Sequence, residues 1–252
     1  MENNKPLITV ITVCRNSSAT IGRTIESVLA QSYNSIEYII MDGASTDNTI
    51  SLIDGYKSRL IGRDISFKCV SEPDKGMYDA MNKGIALAKG DLIGILNSDD
   101  WYEPDALEHI YETYRSTPDA DIIMGAIRIH NGDSVIIKHA RDRRYRTSRD
   151  FNHPAMFVTK ACYKQVGEYG INNVHDDYGW FLKAMKMDKK LAVSDEILTN
   201  YPTGGAGSVK SFKNTCRRIG KKYDVYKQNG YSKLYYAECV VQEIGKYLLL
   251  KR

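Results

Sequence analysis

The sequence lacks any long apolar run. A membrane-spanning helix needs about 20 consecutive apolar residues, and runs such as residues 247–250 are far shorter. We also expect no leader, because residues 1–6 are polar and do not form a basic stretch followed by an apolar one. The chain is 42% hydrophobic with a net charge of only +4, which is unlike disordered proteins. We therefore expect a soluble, globular and cytoplasmic protein.

The cysteine patterns that stabilise small folds are absent as well. The five cysteines are an odd number, are widely spaced and include no C-x-x-C pair. This spacing argues against a disulfide framework and against a structural zinc site. Cys14 ends an apolar run, where a small buried thiol is more common than a nucleophile.

Two phosphate-binding signatures are missing, namely G-x-G-x-x-G and G-x-x-x-x-G-K-[ST]. Their absence disfavours a dehydrogenase that binds a dinucleotide through this loop, and it disfavours a P-loop NTPase. The chain also contains no internal repeat and no low-complexity segment.

The positive charge is concentrated in two parts of the chain. Residues 209–252 contain eleven Lys or Arg and three acids, a balance of +8, which leaves −4 for residues 1–208. A second basic cluster interrupts the acidic part and consists of Lys138, Arg141, Arg143, Arg144, Arg146 and Arg149. Such segments indicate an anionic partner, which could be phosphate, nucleic acid or a membrane surface. A solvated helix face explains the basic tail equally well.

Strands and helices alternate along the first hundred residues. Apolar runs predict strands at 7–13, 36–41, 65–71 and 91–96. Helical spacing predicts helices that begin at Ser17 or Ser18, at Asp47 and at Met77, the last ending at Gly90. Such units form a parallel sheet with its ligand at the carboxyl ends of the strands. Polar residues follow the four strands at Thr12–Asn16, Asp42–Asp47, Glu72–Gly76 and Asn97–Asp100.

The second half of the chain has a different pattern. It predicts strands at 121–126 and 127–137, a helix at about 176–187, and two amphipathic helices in the tail separated by Asn229-Gly230. The apolar face of the first tail helix consists of Val209, Phe212, Cys216, Ile219, Tyr223 and Tyr226. That of the second consists of Leu234, Ala237, Val241, Ile244 and Leu248. We expect a catalytic domain at 1–208, with halves at 1–105 and 106–208, and a helical tail at 209–252.

Three of the four polar loops have residues suited to a nucleotide and a metal. Adjacent carboxylates at Asp99 and Asp100 need a compensating cation, and Mg²⁺ or Mn²⁺ prefers oxygen ligands. Capping of the next helix would explain them equally well. Asp42 could accept an N–H from a nucleobase edge, or belong to an ordinary capped loop. Lys75 and Gly76 at a helix start suit phosphate, although the same residues form good turns.

Five motifs in order resemble family 2 glycosyltransferases of the GT-A fold. They are T-V-I-T-V-C-R-N (9–16), S-V-L-A-Q-S-Y (27–33), E-Y-I-I-M-D-G-A-S-T-D-N-T (37–49), S-E-P-D-K-G-M-Y-D-A-M-N-K-G (71–84) and A-K-G-D-L-I-G-I-L-N-S-D-D (88–100). D-D-Y-G-W-F-L-K (176–183) resembles a later family segment. N-H-P-A-M-F-V (152–158) and G-G-A-G-S (204–208) resemble features of bacterial surface-polysaccharide members.

The resemblance implies a role for individual residues. Those expected to line the nucleotide pocket are Thr12, Arg15, Asn16, Asp42, Gly43, Ser45, Lys75, Gly76, Asn97 and Ser98. Asp42 would bind the base, most often uracil, and Lys75 with Gly76 would lie near the ribose and diphosphate. Asp99 matches the second acid of the D-x-D metal motif, whose first acid is replaced here by Asn97. Metal affinity and strict metal dependence are therefore open.

The same resemblance implies a catalytic base and two further contacts. Asp177 matches the base, and its neighbour Asp176 stands where the family often has Glu, so either acid of the pair could serve. Asp100 and His153 are candidate contacts to the donor or acceptor, although a lone histidine before proline is more often a packed residue. The implied cofactor is a divalent metal, Mn²⁺ or Mg²⁺.

The implied activity is inverting transfer of a sugar from a nucleotide-diphosphate sugar, most often a UDP-sugar, to a glycan or lipid-linked acceptor in surface polysaccharide biosynthesis. A sugar nucleotidyltransferase would need a glycine-rich loop after the first strand, and Cys14–Ser17 contains no glycine. A nucleic-acid-binding protein with a basic tail is the non-enzymatic alternative, but no such module is present. We expect no nucleic-acid partner. Docking of the tail on an anionic membrane, at the inner face of the cell membrane, competes with packing of the tail on the catalytic domain or on a second subunit.

Overall fold

The computed structural model describes residues 5–203 and 211–249. Its first half contains the parallel strands β1 (Ile8–Cys14), β2 (Ile36–Asp42), β3 (Ser66–Ser71) and β4 (Leu92–Ile95), in the order β3-β2-β1-β4. Every residue of β1, β2 and β4 is buried. Ile8 and Val10 pack on one face of the sheet, and Ile11 and Val13 pack on the other. The predicted buried, mostly parallel sheet is confirmed.

Three helices connect these strands: α1 (Ile21–Leu29), α2 (Thr49–Gly62) and α3 (Met77–Leu87). The predicted start of α1 at Ser17 or Ser18 is wrong, because Thr20 is the residue before the helix. The backbone amide of Thr20 donates to the Ser17 carbonyl in a turn. The Ser17 hydroxyl bonds to Ser98 and does not cap the helix.

The predicted end of α3 at Gly90 is also wrong. Ala88 is already extended, with ψ of 134°, so the helix ends before the glycine. Gly90 serves close packing instead, because a Cβ there would lie 2.5 Å from the hydroxyl oxygen of Thr9. Because Gly90 has no side chain, the segment that follows α3 can pack closely against the start of β1.

The second half extends the sheet with antiparallel and parallel strands. These are β5 (Trp101–Tyr102), β6 (Ile122–Asn131), β7 (Ser134–Lys138), β8 (Met156–Thr159) and β9 (Leu191–Pro202), in the order β4-β8-β6-β9-β5 with β7 paired to β6. The predicted boundary between two strands at 127 is wrong, since β6 continues through it. The chain turns later, at Gly132, whose φ of 58° suits glycine.

The helices of this half are α4 (Ala106–Ser116), a 3₁₀ turn at His153–Ala155, α5 (Lys160–Val166) and α6 (Asp176–Lys186). The prediction of α6 is confirmed. The explanation of Asp99 and Asp100 as helix caps is wrong, because β5 separates them from α4, which begins after Asp105.

The tail forms a helical hairpin of α7 (Phe212–Gln228) and α8 (Tyr235–Leu249), broken at Asn229 as predicted. The predicted apolar faces are right only in part: Ile219 and Tyr226 are buried and Tyr223 and Ile244 pack against the core, but the remaining buried positions differ. The buried side chains are Thr215, Ile219, Lys222, Val225 and Tyr226 of α7 and Tyr235, Cys239, Gln242 and Glu243 of α8. Phe212, Leu234, Val241 and Leu248 are exposed instead. Val209 and the G-G-A-G-S segment lie outside the described residues.

Among the helices of the described ranges, none is long and apolar enough to cross a membrane.

Candidate active site

The loops that follow β1, β2 and β4 are joined by hydrogen bonds at the carboxyl edge of the sheet. The Asn16 amide donates to Ser45 Oγ at 2.7 Å, and Asn16 Oδ1 accepts from the Thr46 amide at 2.8 Å. The hydroxyl oxygens of Ser17 and Ser98 are 2.8 Å apart. The structure therefore brings together residues that lie up to 81 positions apart in the chain.

Asp42 holds the loop after β2 and is only 2% exposed. Its carboxylate accepts from the Ser45 amide at 2.9 Å, from Ser71 Oγ at 2.6 Å and from the Ser45 hydroxyl. Burial opposes the charge, but the bonds from Ser45 and Ser71 hold the pKa of Asp42 below its usual value. Thr12 is fully buried and its hydroxyl is paired with Tyr38 at 3.0 Å, so that hydroxyl lies inside the sheet.

Gly43 allows the loop after β3 to approach the loop after β2. A Cβ at Gly43 would lie 2.2 Å from Asp74 Oδ2, so any larger residue would displace the Asp74 side chain. Asp74 Oδ1 accepts from the Gly76 amide at 2.8 Å, and Gly76 has a φ of 119° that other residues rarely adopt. Arg15 and Lys75 are both exposed at this edge, and two cations there suit an anionic ligand.

The loop after β4 contains two buried oxygen atoms that lack partners within the described residues, Asn97 Oδ1 and Asp100 Oδ1. Asp100 is fully buried, and its Oδ2 accepts from Asn97 Nδ2 at 3.3 Å. Burial, followed by the charge of Asp99, raises the pKa of Asp100 well above its usual value. Asp99 is partly exposed. Burying these oxygen atoms without hydrogen-bond partners or a bound cation costs folding free energy.

The same loop fits a hard divalent cation. Two carboxylates and an amide oxygen are the ligands that Mg²⁺ or Mn²⁺ prefers. Within the described residues no three His, Cys, Asp or Glu side chains are grouped to hold a metal by themselves. A cation here would therefore need further ligands from a phosphate or from water, which is the usual arrangement for Mg²⁺ with a nucleotide.

The structure distinguishes the two acids at the start of α6. Asp176 is 9% exposed, and its Oδ2 accepts from the amides of Asn172 and Asn173 at 2.8 and 2.7 Å. It therefore holds the preceding loop in place. Asp177 is partly exposed, and its Oδ1 accepts from the Tyr78 hydroxyl at 3.0 Å. Asp177 is thus the acid of the pair that solvent or a substrate can reach.

His153 is buried between two aromatic rings close to Asp177. It is 8% exposed, and its ring centroid lies 6.2 Å from that of Phe151 and 5.9 Å from that of Tyr169. Burial lowers the pKa of His153, against the opposing charge of Asp177. The imidazole is therefore neutral near pH 7, so one of its nitrogens donates a hydrogen bond and the other accepts one.

Two tyrosines near these acids were missed by the sequence analysis. Tyr78, inside the 71–84 motif, contacts Asp177 directly. Tyr201 lies in β9 next to Asn200, which pairs with Trp101 across the sheet. Burial, and after it the charges of Asp100, Asp99 and Asp177, raise the pKa of Tyr201. A signal for both was available, because each lies at the start or end of an element that reaches the carboxyl edge.

A family model matches most of the chain. The model described as "Glycosyl transferase family 2" matches residues 9–182. This range contains every predicted site residue, from Thr12 to Asp177. Among curated proteins, the chain is 29% identical over 194 residues to a hyaluronan synthase of Pasteurella multocida. That match covers 74% of this chain and 19% of the synthase, so the chain spans about a fifth of that protein.

Solved structures share the fold at low sequence identity. TarS of S. aureus in complex with UDP-GlcNAc superposes with a TM-score of 0.70 and 16% identity, over 94% of this chain and 71% of that chain. A mannosyltransferase of Pyrobaculum calidifontis in complex with GDP-Man and Mn²⁺ gives a TM-score of 0.67 and 17% identity, over 90% and 64%. At these identities the likeness shows the fold alone.

Proposed function

The chain belongs to glycosyl transferase family 2, and we propose that it transfers a sugar, with inversion, from a UDP-sugar to a hydroxyl group of a glycan or lipid-linked acceptor. The main support for this proposal is the position of Asp177, an accessible carboxylate on α6. Asp177 accepts a hydrogen bond from Tyr78 of α3, the helix that follows the Lys75–Gly76 loop. A base for the acceptor is thereby adjacent to the loops proposed to hold the donor. Membership of this family decides against the nucleotidyltransferase and nucleic-acid-binding alternatives.

The nucleotide is held at the carboxyl edge. Asp42 accepts from the base, and the cations of Arg15 and Lys75 neutralise part of the diphosphate charge. Asn97, Asp99 and Asp100 would hold a divalent cation, which when bound supplies charge neutralisation to the departing diphosphate. The choice of uracil is supported by the complex of TarS with UDP-GlcNAc, whereas the mannosyltransferase of Pyrobaculum calidifontis is in complex with GDP-Man.

Asp177 removes the proton from the acceptor hydroxyl. The oxygen then attacks C1 of the donor sugar from the face opposite the diphosphate, and the bond between C1 and the diphosphate oxygen breaks. The proton ends on Asp177, the electron pair of the broken bond leaves with the diphosphate, and the anomeric configuration inverts. A general base of this kind contributes roughly 10²–10⁴-fold to the rate. His153, which is 8% exposed and lies close to Asp177, is assigned to the donor or acceptor sugar, whereas Asp100 is fully buried and is assigned to the cation.

A thermal-shift panel tests the donor assignment. UDP-, GDP-, dTDP- and CMP-sugars are added with and without Mn²⁺, and the unfolding midpoint is measured. A donor at 100 times its Kd stabilises the folded state by about 2.7 kcal/mol. We expect UDP-sugars to give the largest shift and Mn²⁺ to increase it. A larger shift with GDP-sugars would reject uracil, and no shift with any of the four would reject a nucleotide-sugar donor.

We further propose that the α7–α8 hairpin docks on an anionic membrane, where a lipid-linked acceptor would be reached. Its support is the exposed apolar side chains Phe212, Leu234, Val241 and Leu248, which are 59–75% exposed. Exposed cations on the same hairpin are Lys213, Arg217, Lys227 and Lys233. An apolar face flanked by cations is typical of helices that lie in a membrane interface.

Vesicle co-sedimentation separates membrane docking from a purely structural hairpin. We expect binding to anionic vesicles, weaker binding at high salt, and loss of binding in the double variant Leu234→Gln, Val241→Gln. Ile61 on α2 is as exposed as Val241, at 60%, so Ile61→Gln is the matched control and should still bind. Equal binding to neutral and anionic vesicles, or none to either, would reject the proposal.

A further inference from the structure

Tyr78 links the proposed donor loop to the proposed base. It is the second residue of α3, which begins at Met77 directly after Lys75 and Gly76. Its side chain is 5% exposed, and its hydroxyl oxygen lies 3.0 Å from Asp177 Oδ1 and 3.1 Å from the Val174 carbonyl oxygen. The contact joins residues 99 positions apart.

The Tyr78 hydroxyl remains a hydrogen-bond donor throughout the working pH range. Burial, followed by the negative charge of Asp177, raises the pKa of Tyr78 far above its usual value. A protonated phenol has a single hydrogen to donate, and a hydrogen bond to a carboxylate is stronger than one to a neutral carbonyl, so this hydrogen is directed to Asp177. The Tyr78 ring packs against Tyr169 with centroids 6.0 Å apart, so the hydroxyl is held in place.

Only one oxygen of Asp177 is engaged in this way. Oδ1 accepts from Tyr78 and from the Tyr178 amide at 2.8 Å. Within the described residues no hydrogen bond is made to Oδ2. Fixing Oδ1 from two directions sets the rotation of the carboxylate and leaves the other oxygen for an incoming hydroxyl. Misplacement of a reacting group by about 1 Å is enough to cost 10²-fold in rate.

We propose that Tyr78 is a positioning residue for Asp177, which it orients from the helix that follows the donor loop. The inference rests on the proposed function, because it takes Asp177 to be the base. Tyr78 does not touch the reacting atoms and transfers no proton. It acts only through the carboxylate.

The test compares Tyr78→Phe with Tyr163→Phe. Tyr163 lies in the same aromatic cluster, is also 5% exposed and bonds through its hydroxyl to Tyr169 at 2.9 Å, with no contact to Asp177. Each variant loses one buried hydroxyl and should lower the unfolding midpoint similarly. Nucleotide release is measured with the sugar nucleotide that stabilises the protein most in the thermal-shift panel, with water as acceptor. Tyr78→Phe should lower kcat about 10- to 100-fold and leave the donor Kd unchanged, while Tyr163→Phe should leave both unchanged.

A double-mutant cycle with Asp177→Asn shows whether the effect passes through the carboxylate. If Tyr78 acts through Asp177, adding Tyr78→Phe to Asp177→Asn should not lower the residual rate further. An equal loss in both backgrounds, an unchanged kcat in Tyr78→Phe, or an equal loss in Tyr163→Phe would overturn the positioning role and leave the proposed function intact. A fully active Asp177→Asn would instead overturn the base assignment of the proposed function itself.

Discussion

Replacing Glu243 by Gln removes the anion of a buried charge cluster that closes the α7–α8 hairpin. Glu243 is 2% exposed and accepts from Arg218 at 3.0 Å, from Lys222 at 3.3 Å and from Lys246 at 3.1 Å. Lys222, also 2% exposed, bonds to Gln242, which in turn accepts from Ser148 at 2.8 Å. The cluster therefore joins the hairpin to the basic segment 138–149.

The loss of folding free energy expected for Glu243→Gln follows from the lowered pKa of Glu243. Although burial opposes it, the charges of Lys246 and Lys222 lower the pKa of Glu243 from 4.5 to about 2. A drop of this size corresponds to about 3 kcal/mol of folding free energy. Breaking a buried ion pair from one side costs about 3–5 kcal/mol in other proteins. Burial and Lys246 lower the pKa of Lys222, so the remaining cations would be poorly accommodated.

Thermal unfolding at pH 7 provides the assay. For a chain of this size about 1 kcal/mol shifts the midpoint by 2–4 °C, so we expect Glu243→Gln to lower it by about 6–12 °C. Asp224→Asn, on the exposed side of α7, is the control and should change it little.

The pH dependence of the folding stability tests the contribution of Glu243 more specifically. Because the pKa of Glu243 is depressed on folding, its contribution is complete above about pH 4.5 and is lost as the pH falls toward 2. Wild type should therefore lose more stability than Glu243→Gln over this interval. Equal losses, or equal midpoints for Glu243→Gln and Asp224→Asn at pH 7, would refute the assignment of the cluster as stabilising.

Three further predictions concern the carboxyl edge. Asp99→Ala should remove the Mn²⁺-dependent part of donor binding and most of the activity; activity that survives both this change and EDTA would exclude a metal role. Asp177→Asn should lower kcat with little change in donor affinity. Asp176→Asn should mainly lower the unfolding midpoint, because the Asp176 carboxylate accepts from two backbone amides. The reverse result would exchange the roles of the two acids. Gly43→Ala should weaken donor binding, because its Cβ meets Asp74, and isothermal titration with an unchanged Kd would contradict this.

The parallel strands of the first half were predictable because each buried strand is a short, continuous run of apolar residues in the sequence. Strands buried on both faces are continuous apolar runs, and β1 and β2 match their predictions within one residue. The meeting of the four polar loops follows from parallel topology, since the carboxyl ends of parallel strands share one edge. The contacts of Asn16 and Ser17 with the neighbouring loops bear this out.

The two helices of the hairpin were predicted, but its buried face was partly mispredicted because the burial of these residues depends on distant partners. Periodicity assigns the apolar stripe of α8 to the core, but Val241 is 60% exposed and Glu243 is 2% exposed. Glu243 is buried because cations from α7 surround it, and those contacts span 21–25 residues. The position of Tyr78 at the start of α3 places it at the carboxyl edge, but its contact with Asp177 was missed for a similar reason, because Asp177 belongs to the other half of the chain. Single-helix patterns contain no information about such pairs.

The most direct test of the central claim is the configuration of the sugar that is first released. The enzyme is incubated with an α-linked sugar nucleotide such as UDP-GlcNAc, with water as acceptor, and the anomeric protons are followed by NMR before the anomers interconvert. We predict that the β anomer is formed first, and that Asp177→Asn slows its release by roughly 10²-fold or more. The α anomer appearing first, or an unchanged rate in Asp177→Asn, would contradict inverting transfer with Asp177 as the base.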